Sequence, residues 1–159
     1  MKRLTIDETH CTNCRICELV CAARHQGVYN PVQSRIRKIS FGIPEVTETI
    51  VCKQCVNAPC AQACPVEALA VSDEIVEYNE ERCIGCQKCV KACPYNAMFF
   101  RKETRKVFKC NLCGEKEPKC MESCPKGVIG LHSDDPAENA KRSMDKMGIQ
   151  PEDLRLKTE

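Results

Sequence analysis

The sequence predicts an α+β fold in which small hairpins and short helices surround bound metal instead of one large apolar core. Cysteine accounts for 16 of the 159 residues, about a tenth of the chain. Isoleucine, leucine, valine and phenylalanine together number 33, which is close to the level at which apolar burial alone no longer folds a chain. Tryptophan is absent and aromatic residues make up 4% of the chain, so few bulky side chains are available to fill a sandwich or a barrel.

The cysteine content also bears on the cellular compartment, because cysteine-rich chains are usually secreted proteins with disulfides. Residues 1–8 contain neither the apolar segment of a secretory signal nor a pair of adjacent arginines. No apolar stretch approaches the ~20 residues that span a bilayer. We therefore expect a cytoplasmic protein without a membrane span, whose reduced cysteines bind metal. A subunit of this kind can also be exported together with a partner that carries the signal.

The sixteen cysteines form four groups of four, with none left over. The first and third groups have the spacing C-x2-C-x2-C-x3-C, the second has C-x2-C-x4-C-x3-C and the fourth has C-x2-C-x6-C-x3-C. In the last three groups, proline follows the final cysteine. In chain order the groups are Cys11, Cys14, Cys17 and Cys21; Cys52, Cys55, Cys60 and Cys64; Cys83, Cys86, Cys89 and Cys93; and Cys110, Cys113, Cys120 and Cys124.

This spacing has a mechanical reason. Two-residue gaps allow one tight loop to present three thiolates to a single cluster, with backbone N–H groups directed at its sulfides. A fourth cysteine after a three-residue gap lies about one helical turn further on and faces a neighbouring cluster. Proline after that cysteine cannot continue the hydrogen-bonded ladder of a helix. Cys21 is followed by Ala22 instead, so we expect its helix to continue past the ligand.

Three other cysteine chemistries fit this pattern less well. Disulfides need an oxidising compartment and would not repeat the register of the groups. Zinc sites usually consist of paired C-x2-C knuckles with longer separations, and they leave the cysteine–proline endings unexplained. A thioredoxin-type motif needs only one C-x-x-C pair. Disulfides and zinc remain the alternatives, and iron–sulfur clusters account for the whole pattern.

Internal repeats and short apolar segments indicate how the chain is organised. Three copies of one unit turn after a cysteine–proline pair and enter an apolar stretch: residues 63–69, 92–98 and 123–129. Between the groups, apolar segments that flank polar turns predict paired strands: 70–71 with 75–78, and 98–100 with 106–108. Residues 35–41 and 49–51 are further candidate strands, which Gly42 and Pro44 separate.

These motifs resemble those of a known family. Residues 50–100, including the phrase Glu81-Arg82-Cys83-Ile84-Gly85-Cys86, are similar to a two-cluster bacterial ferredoxin. From residue 4 to about residue 131, the chain resembles the four-cluster electron-transfer subunits of molybdenum and tungsten oxidoreductases, most of all the small iron–sulfur subunit of tungsten aldehyde oxidoreductase. Hydrogenase- and carbon monoxide dehydrogenase-linked subunits belong to the same family. The resemblance implies an outer ferredoxin-like module of residues 1–49 and 101–132 and an inserted inner module of residues 50–100. A different composition sets residues 133–159 apart as a C-terminal helical extension.

The resemblance also implies which cysteines share a cluster. All four groups are complete, including Cys86 in the group where some relatives lose a ligand and hold a three-iron cluster, so we expect four [4Fe-4S] clusters. We number the implied ligand sets 1 to 4: Cys11, Cys14, Cys17 and Cys124 in set 1; Cys21, Cys110, Cys113 and Cys120 in set 2; Cys52, Cys55, Cys60 and Cys93 in set 3; and Cys64, Cys83, Cys86 and Cys89 in set 4.

The function that the resemblance implies is electron transfer along these clusters. They would connect a catalytic tungsto- or molybdopterin subunit with a second redox site, either a flavin subunit or a soluble ferredoxin. The alternatives are a free-standing polyferredoxin and a subunit of a hydrogenase or carbon monoxide dehydrogenase. The sequence shows no nucleophile–base arrangement and no G-x-G-x-x-G loop, so we predict no catalytic residue in this chain.

Charge and the remaining polar residues add two expectations. With sixteen thiolates and four cores of charge +2, the formal charge of +2 becomes −6. Five basic residues adjoin the cysteines and either offset cluster charge or form ordinary solvated surface: Arg15, Lys53, Lys88, Lys109 and Lys119. They do not indicate nucleic-acid binding, because no aromatic stacking platform accompanies them. We expect His10, His25 and His132 to be structural or surface residues, since cysteine already supplies the ligands.

The last thirty residues predict an amphipathic helix. Asp135, Pro136 and Glu138 form a helix-start signal, and Gly148 ends the segment. Four residues share one face of this helix: Ala137, Ala140, Met144 and Met147. The helix packs either on its own domain or on a partner subunit, and the small apolar core favours the partner.

Overall fold

The computed structural model describes residues 2–42, 46–114 and 117–132. Within these ranges the chain forms four two-stranded antiparallel sheets and four helices. In chain order the elements are β1 (Arg3–Ile6), α1 (Ile16–Gln26), a 3₁₀ turn (Pro31–Gln33), β2 (Ile36–Phe41), β3 (Val46–Val51), α2 (Pro59–Gln62), β4 (Leu69–Ser72), β5 (Ile75–Tyr78), α3 (Lys88–Ala92), β6 (Phe99–Arg101), β7 (Lys106–Phe108), α4 (Lys119–Glu122) and β8 (Ile129–His132). None of the described helices is both long enough and apolar enough to cross a membrane.

Three of the sheets join strands that follow one another in the chain. β2 pairs with β3, β4 with β5 and β6 with β7. The turn between β4 and β5 consists of Asp73 and Glu74, which have positive φ angles of 44° and 66°. Two successive left-handed residues form the tight turn whose twist matches that of a hairpin. The hairpins predicted around residues 70–78 and 98–108 are confirmed, and the candidate strands 35–41 and 49–51 pair with each other.

The fourth sheet joins the two ends of the described chain. β1 runs antiparallel to β8, with Leu4 opposite Leu131 and Ile6 opposite Ile129. Leu4 and Ile129 are buried. This pairing could not be predicted from the sequence, because neither strand has its partner nearby in the chain.

Helix α1 carries two cysteines and is the longest described helix, with 11 residues. It contains Cys17 and Cys21 and continues to Gln26, which confirms that the helix runs past Cys21. It ends at Gly27, whose φ of 70° is left-handed and whose N–H donates to the carbonyl of Ala23. Glycine adopts this terminating conformation without the strain that a side chain would add.

The apolar core is divided into two clusters, and cysteines contribute to both. The first gathers Leu4, Ile36, Val51, Leu112 and Ile129 with cysteines from the first, second and fourth groups. The second is made of Leu69, Val76, Met98 and Val107 with Cys60 and Cys89. Cysteine thus occupies positions that larger apolar residues fill in an ordinary core. The division into an outer and an inner module remains a prediction, and the predicted C-terminal helix at 133–159 lies outside the described residues.

Candidate metal centres

Three of the four predicted ligand sets each surround a cavity. The cysteines of set 1 line one cavity, those of set 4 a second and those of set 3 a third. Each cavity takes its fourth cysteine from a different group than the other three, so the arrangement is crossed in space.

The cysteines of set 2 also lie together. Cys21, Cys110 and Cys120 are buried, and Cys113 is half-buried. Burial raises the pKa of the Cys120 thiol, and the neighbouring Cys110, Cys21 and Cys113 raise it further. The structure thus brings together the members of every predicted set, while the assignment of each set to one cluster remains a prediction.

The loops that carry the first cysteines share one backbone feature. In every group, the second residue after the first cysteine has a left-handed conformation: Asn13, Gln54, Gly85 and Leu112, with φ angles of 52°, 49°, 71° and 55°. In two of the groups, the N–H of this residue donates to the sulfur of that first cysteine. These bonds run from Gly85 to Cys83 and from Leu112 to Cys110, both at 3.4 Å. Such N–H···S contacts stabilise thiolate ligands and help to set the potential of a bound cluster.

The final cysteines of two groups also accept backbone hydrogen bonds. The sulfur of Cys64 accepts from the N–H of Ala68 at 3.2 Å, and that of Cys21 accepts from the N–H of Arg35 at 3.3 Å. Three repeats continue with the same turn, in which the third residue after the cysteine has a positive φ: Glu67, Asn96 and Gly127. Its N–H donates back to the carbonyl of the cysteine in each repeat. The repeated unit seen in the sequence is therefore a repeated backbone geometry.

Burial shifts the acidity of several thiols. It raises the pKa of Cys17 and of Cys110 to about 12, and that of Cys89 to about 11. A metal-free buried thiol is therefore neutral at pH 7, so that cluster binding has to release its proton and stabilise the thiolate. Cys83 differs: although burial acts in the opposite direction, hydrogen bonds from the Tyr78 hydroxyl and the Gly85 N–H lower its pKa.

The donor arrangement fits clusters better than single ions. Among the described residues, no group of three or more His, Cys, Asp or Glu side chains is close enough to hold one metal ion. In sets 1, 3 and 4 the four thiols instead surround a cavity. A zinc ion requires four sulfurs that each lie about 2.3 Å from the one metal ion. A cubane instead places iron at four separate corners, one for each sulfur ligand. In each of these three sets the thiols thus line one shared space, as the ligands of a cubane do.

Two polar networks near the cysteines were not foreseen from the sequence. Next to set 1, the buried Lys38 donates from Nζ to Glu8 and to the Thr49 hydroxyl, both at 2.7 Å. Near set 2, Nε2 of His25 lies 3.8 Å from the sulfur of Cys113, and burial lowers the pKa of His25 to about 4. A lone histidine or lysine in the sequence carries no signal for such a contact, because the partners are distant in the chain.

The basic residues beside the cysteines fall into two classes. Arg15 and Lys119 form ion pairs with Glu18 and Glu122 at 2.7 and 2.8 Å. Lys88 is exposed and Lys53 is half-buried. Lys109 differs from all of these, because it is only 2% exposed. Of the two expectations for these residues, ordinary solvated surface is therefore wrong for Lys109.

Comparison with known proteins agrees with this geometry. Residues 46–134 match the 4Fe-4S dicluster domain family. The chain is 40% identical over 138 residues to the putative electron transport protein YsaA of Escherichia coli, with 79% of this chain and 86% of that protein covered. It is 39% identical over 123 residues to the polyferredoxin-like subunit of the aliphatic sulfonate oxidoreductase of Pyrococcus furiosus, with coverages of 76% and 70%.

A solved structure shares the fold. One chain of the active site complex BamBC of benzoyl coenzyme A reductase aligns with a TM-score of 0.50 and 20% identity, over 92% of this chain and 89% of that chain. The predicted cofactors are confirmed as [4Fe-4S] clusters, four for the sixteen cysteines. The small hairpins and short helices are those of a ferredoxin-like domain, and the chain belongs to the 4Fe-4S dicluster domain family.

Proposed function

We propose that the protein is an electron-transfer subunit whose four clusters form a wire between a catalytic tungsto- or molybdopterin subunit and a second redox site. The observation that carries this proposal is the way in which neighbouring ligand sets share short helices. Shared helices keep successive clusters close and in a fixed order. Each cluster accepts one electron and passes it to the next, and the protein tunes the potentials through burial, charge and N–H···S bonds.

Sets 1 and 2 are linked by two helices. Helix α1 contains Cys17 of set 1 and Cys21 of set 2, which lie about 6 Å apart along its axis at the rise of an α-helix. Helix α4 contains Cys120 of set 2, and Cys124 of set 1 follows two residues after its end. The two ligand sets are therefore neighbours on both helices.

Sets 3 and 4 are linked in the same way. Helix α2 contains Cys60 of set 3, and Cys64 of set 4 follows two residues after its end. Helix α3 contains Cys89 of set 4, and Cys93 of set 3 caps its C-terminus. The inner pair of sets thus repeats the construction of the outer pair.

The two pairs meet where Cys110 of set 2 lies near Cys52 of set 3. Both are buried in the first apolar cluster. Burial is the main cause that raises the pKa of Cys110, and the nearby Cys52 raises it further. Gln54 spans the junction by donating from Nε2 to the carbonyl of Cys110 at 2.9 Å. The contacts between sets therefore support the order 1–2–3–4.

The ends of this series are its most open parts. Of the sixteen cysteines, all of which lie in the described residues, only Cys14 and Cys86 are exposed. Cys14 belongs to set 1 and Cys86 to set 4. Electrons can thus enter and leave at opposite ends of the series, while every cysteine of sets 2 and 3 is buried or half-buried.

A subunit role suits four clusters in series better than a diffusing carrier does. A carrier gains nothing from added length, whereas two fixed redox sites too far apart for one hop require intermediate clusters. The Pyrococcus furiosus relative is named as a polyferredoxin-like subunit of an oxidoreductase, which supports this role. Tungsten or molybdenum in the partner follows from the family resemblance.

Anaerobic affinity purification from the native source tests the proposal. We expect a larger polypeptide to co-purify in a fixed ratio and metal analysis to find tungsten or molybdenum in the complex. Full reduction should also broaden the EPR signals, because neighbouring reduced clusters couple magnetically. A protein that runs alone at 17.9 kDa and passes electrons to several unrelated enzymes would be a free-standing polyferredoxin instead.

A further inference from the structure

Lys109 lies in the interior at the junction of sets 2 and 3. It follows β7, directly precedes Cys110, and is only 2% exposed. Burial lowers the pKa of Lys109, while the nearby Cys52 and Cys60 of set 3 and Cys110 of set 2 act in the opposite direction and favour the ammonium form. These three cysteines belong to the two central ligand sets, so the ammonium group lies among the ligands of both sets.

The hydrogen bonds of Lys109 hold its side chain in this place. Nζ donates to the carbonyl oxygen of Cys110 at 2.9 Å and lies 3.5 Å from Oε1 of Gln54. Gln54 is 1% exposed and is fixed in turn, because its Nε2 donates to the Cys110 carbonyl and its Oε1 accepts the N–H of Val76, both at 2.9 Å. The position of the charge is therefore determined by buried backbone groups.

No carboxylate among the residues that the structure describes forms an ion pair with Lys109. A buried ammonium group without an opposite charge is strongly unfavourable. The negative charge nearest to Lys109 is that of the cysteine ligands, and a four-thiolate [4Fe-4S] cluster is itself an anion. Clusters held by sets 2 and 3 would therefore be the counter-ions of this lysine.

We propose that Lys109 is a fixed positive charge that raises the reduction potentials of the two central clusters together and so keeps them matched for electron transfer between the outer and inner sets. A reduced cluster carries one more negative charge than an oxidised one, so a nearby cation favours the reduced form. One electron leaves one cluster and enters the other, no bond is formed or broken, and Lys109 keeps its proton. The inference rests on the proposed function only for its purpose, since the effect on potential is a property of this chain alone.

The matched control is Lys119. Lys119 directly precedes Cys120 of set 2, just as Lys109 precedes Cys110 of the same set. Its side chain, however, is 46% exposed and pairs with Glu122. Removing either lysine deletes one positive charge beside a set 2 ligand, but only Lys109 is buried between two sets.

The test is an EPR-monitored redox titration of the anaerobically prepared holoprotein, after metal analysis of each variant. In Lys109→Met and Lys109→Gln, we expect the equilibrium constants for reduction of two clusters to fall at least tenfold. This change lowers the reduction potential by about 59 mV for a one-electron couple. The other two clusters should shift less. Lys109→Arg should restore the wild-type potentials, and Lys119→Met should leave them unchanged.

Three results would overturn the proposal. They are unchanged potentials in a neutral Lys109 variant with full iron content, an equal shift of all four clusters, and a shift of the same size in Lys119→Met. If Lys109→Met loses iron, Lys109→Gln, which can keep a hydrogen bond to the Cys110 carbonyl, provides the decisive titration. Because the isolated holoprotein is titrated, these results do not depend on whether a catalytic partner is found.

Discussion

The glycine in the set 4 loop is a point at which one added carbon should have a large effect. Gly85 lies between Cys83 and Cys86 with a φ of 71°. A Cβ at this position would overlap with the carbonyl oxygen of Arg105, well inside the 3.0 Å below which real Cβ contacts essentially never fall. The obstacle is backbone, so no side-chain rotation relieves it. Lys106 also fastens the loop, because its Nζ donates to the carbonyl of Cys83 at 2.6 Å.

The expected cost of Gly85→Ala has two parts. A left-handed conformation costs a residue with a side chain roughly 1–2 kcal/mol. Overpacking that forces the backbone to move costs typically about 1–3 kcal/mol more. Gly127→Ala is the matched control, because Gly127 follows a ligand cysteine with a φ of 60° and its added Cβ would meet nothing within 4 Å. The control should lose only the first part.

Anaerobic denaturation in guanidinium, followed by the cluster absorption, separates the two variants. We expect the midpoint to fall in the order wild type, Gly127→Ala, Gly85→Ala. Iron analysis near the midpoint of Gly85→Ala should show early loss of one cluster, since only the set 4 loop is displaced. A midpoint for Gly85→Ala equal to or above that of Gly127→Ala would refute the close approach to Arg105.

Two further predictions concern the clusters themselves. Anaerobically prepared protein should contain sixteen iron and sixteen sulfide per chain, and chelation should unfold it, because ligation supplies folding energy that the apolar core lacks; zinc, or iron near eight per chain, would contradict the four-cluster count. Cys93→Ser should damage the set 3 cluster and leave set 4 fully ligated, whereas Cys64→Ser should do the reverse. EPR spectra in which each group of the sequence loses its own cluster would show that the crossed sets are wrong.

Local features of the fold could be predicted because their signals are local. The hairpin of β4 and β5 combines apolar segments with a polar turn within ten residues, and the structure has it at Leu69–Ser72 and Ile75–Tyr78. The pairing of β1 with β8 could not be found this way. These two strands lie at opposite ends of the described chain, and only the three-dimensional arrangement brings them together.

In the candidate sites, too, features with a local sequence signal could be predicted and features set by distant residues could not. The spacing of the cysteines predicts ligand groups, and the structure gathers the members of each set. The left-handed residues of the loops could be predicted only in part, since Gly85 and Asn13 are of types that favour a positive φ whereas Gln54 and Leu112 are not. The burial of Lys109 could not be predicted from the sequence either. A lysine beside a cysteine has the same local sequence at Lys119, which is half-exposed, so that tertiary packing alone distinguishes the two.

The sheet of β1 and β8 explains how distant segments can serve one cluster. Set 1 takes Cys11 and Cys14 from the loop after β1, Cys17 from the start of α1 and Cys124 from the turn before β8. The sheet extends past Ile6, because the N–H of Asp7 donates to the carbonyl of Val128 at 2.9 Å. This register holds the Cys11 loop against the Cys124 turn. Sets 3 and 4, by contrast, draw all their ligands from residues 52–93. On the proposed sets, the inner pair needs only this segment, whereas the outer pair needs both ends of the described chain, so the β1–β8 sheet and the outer clusters stabilise each other.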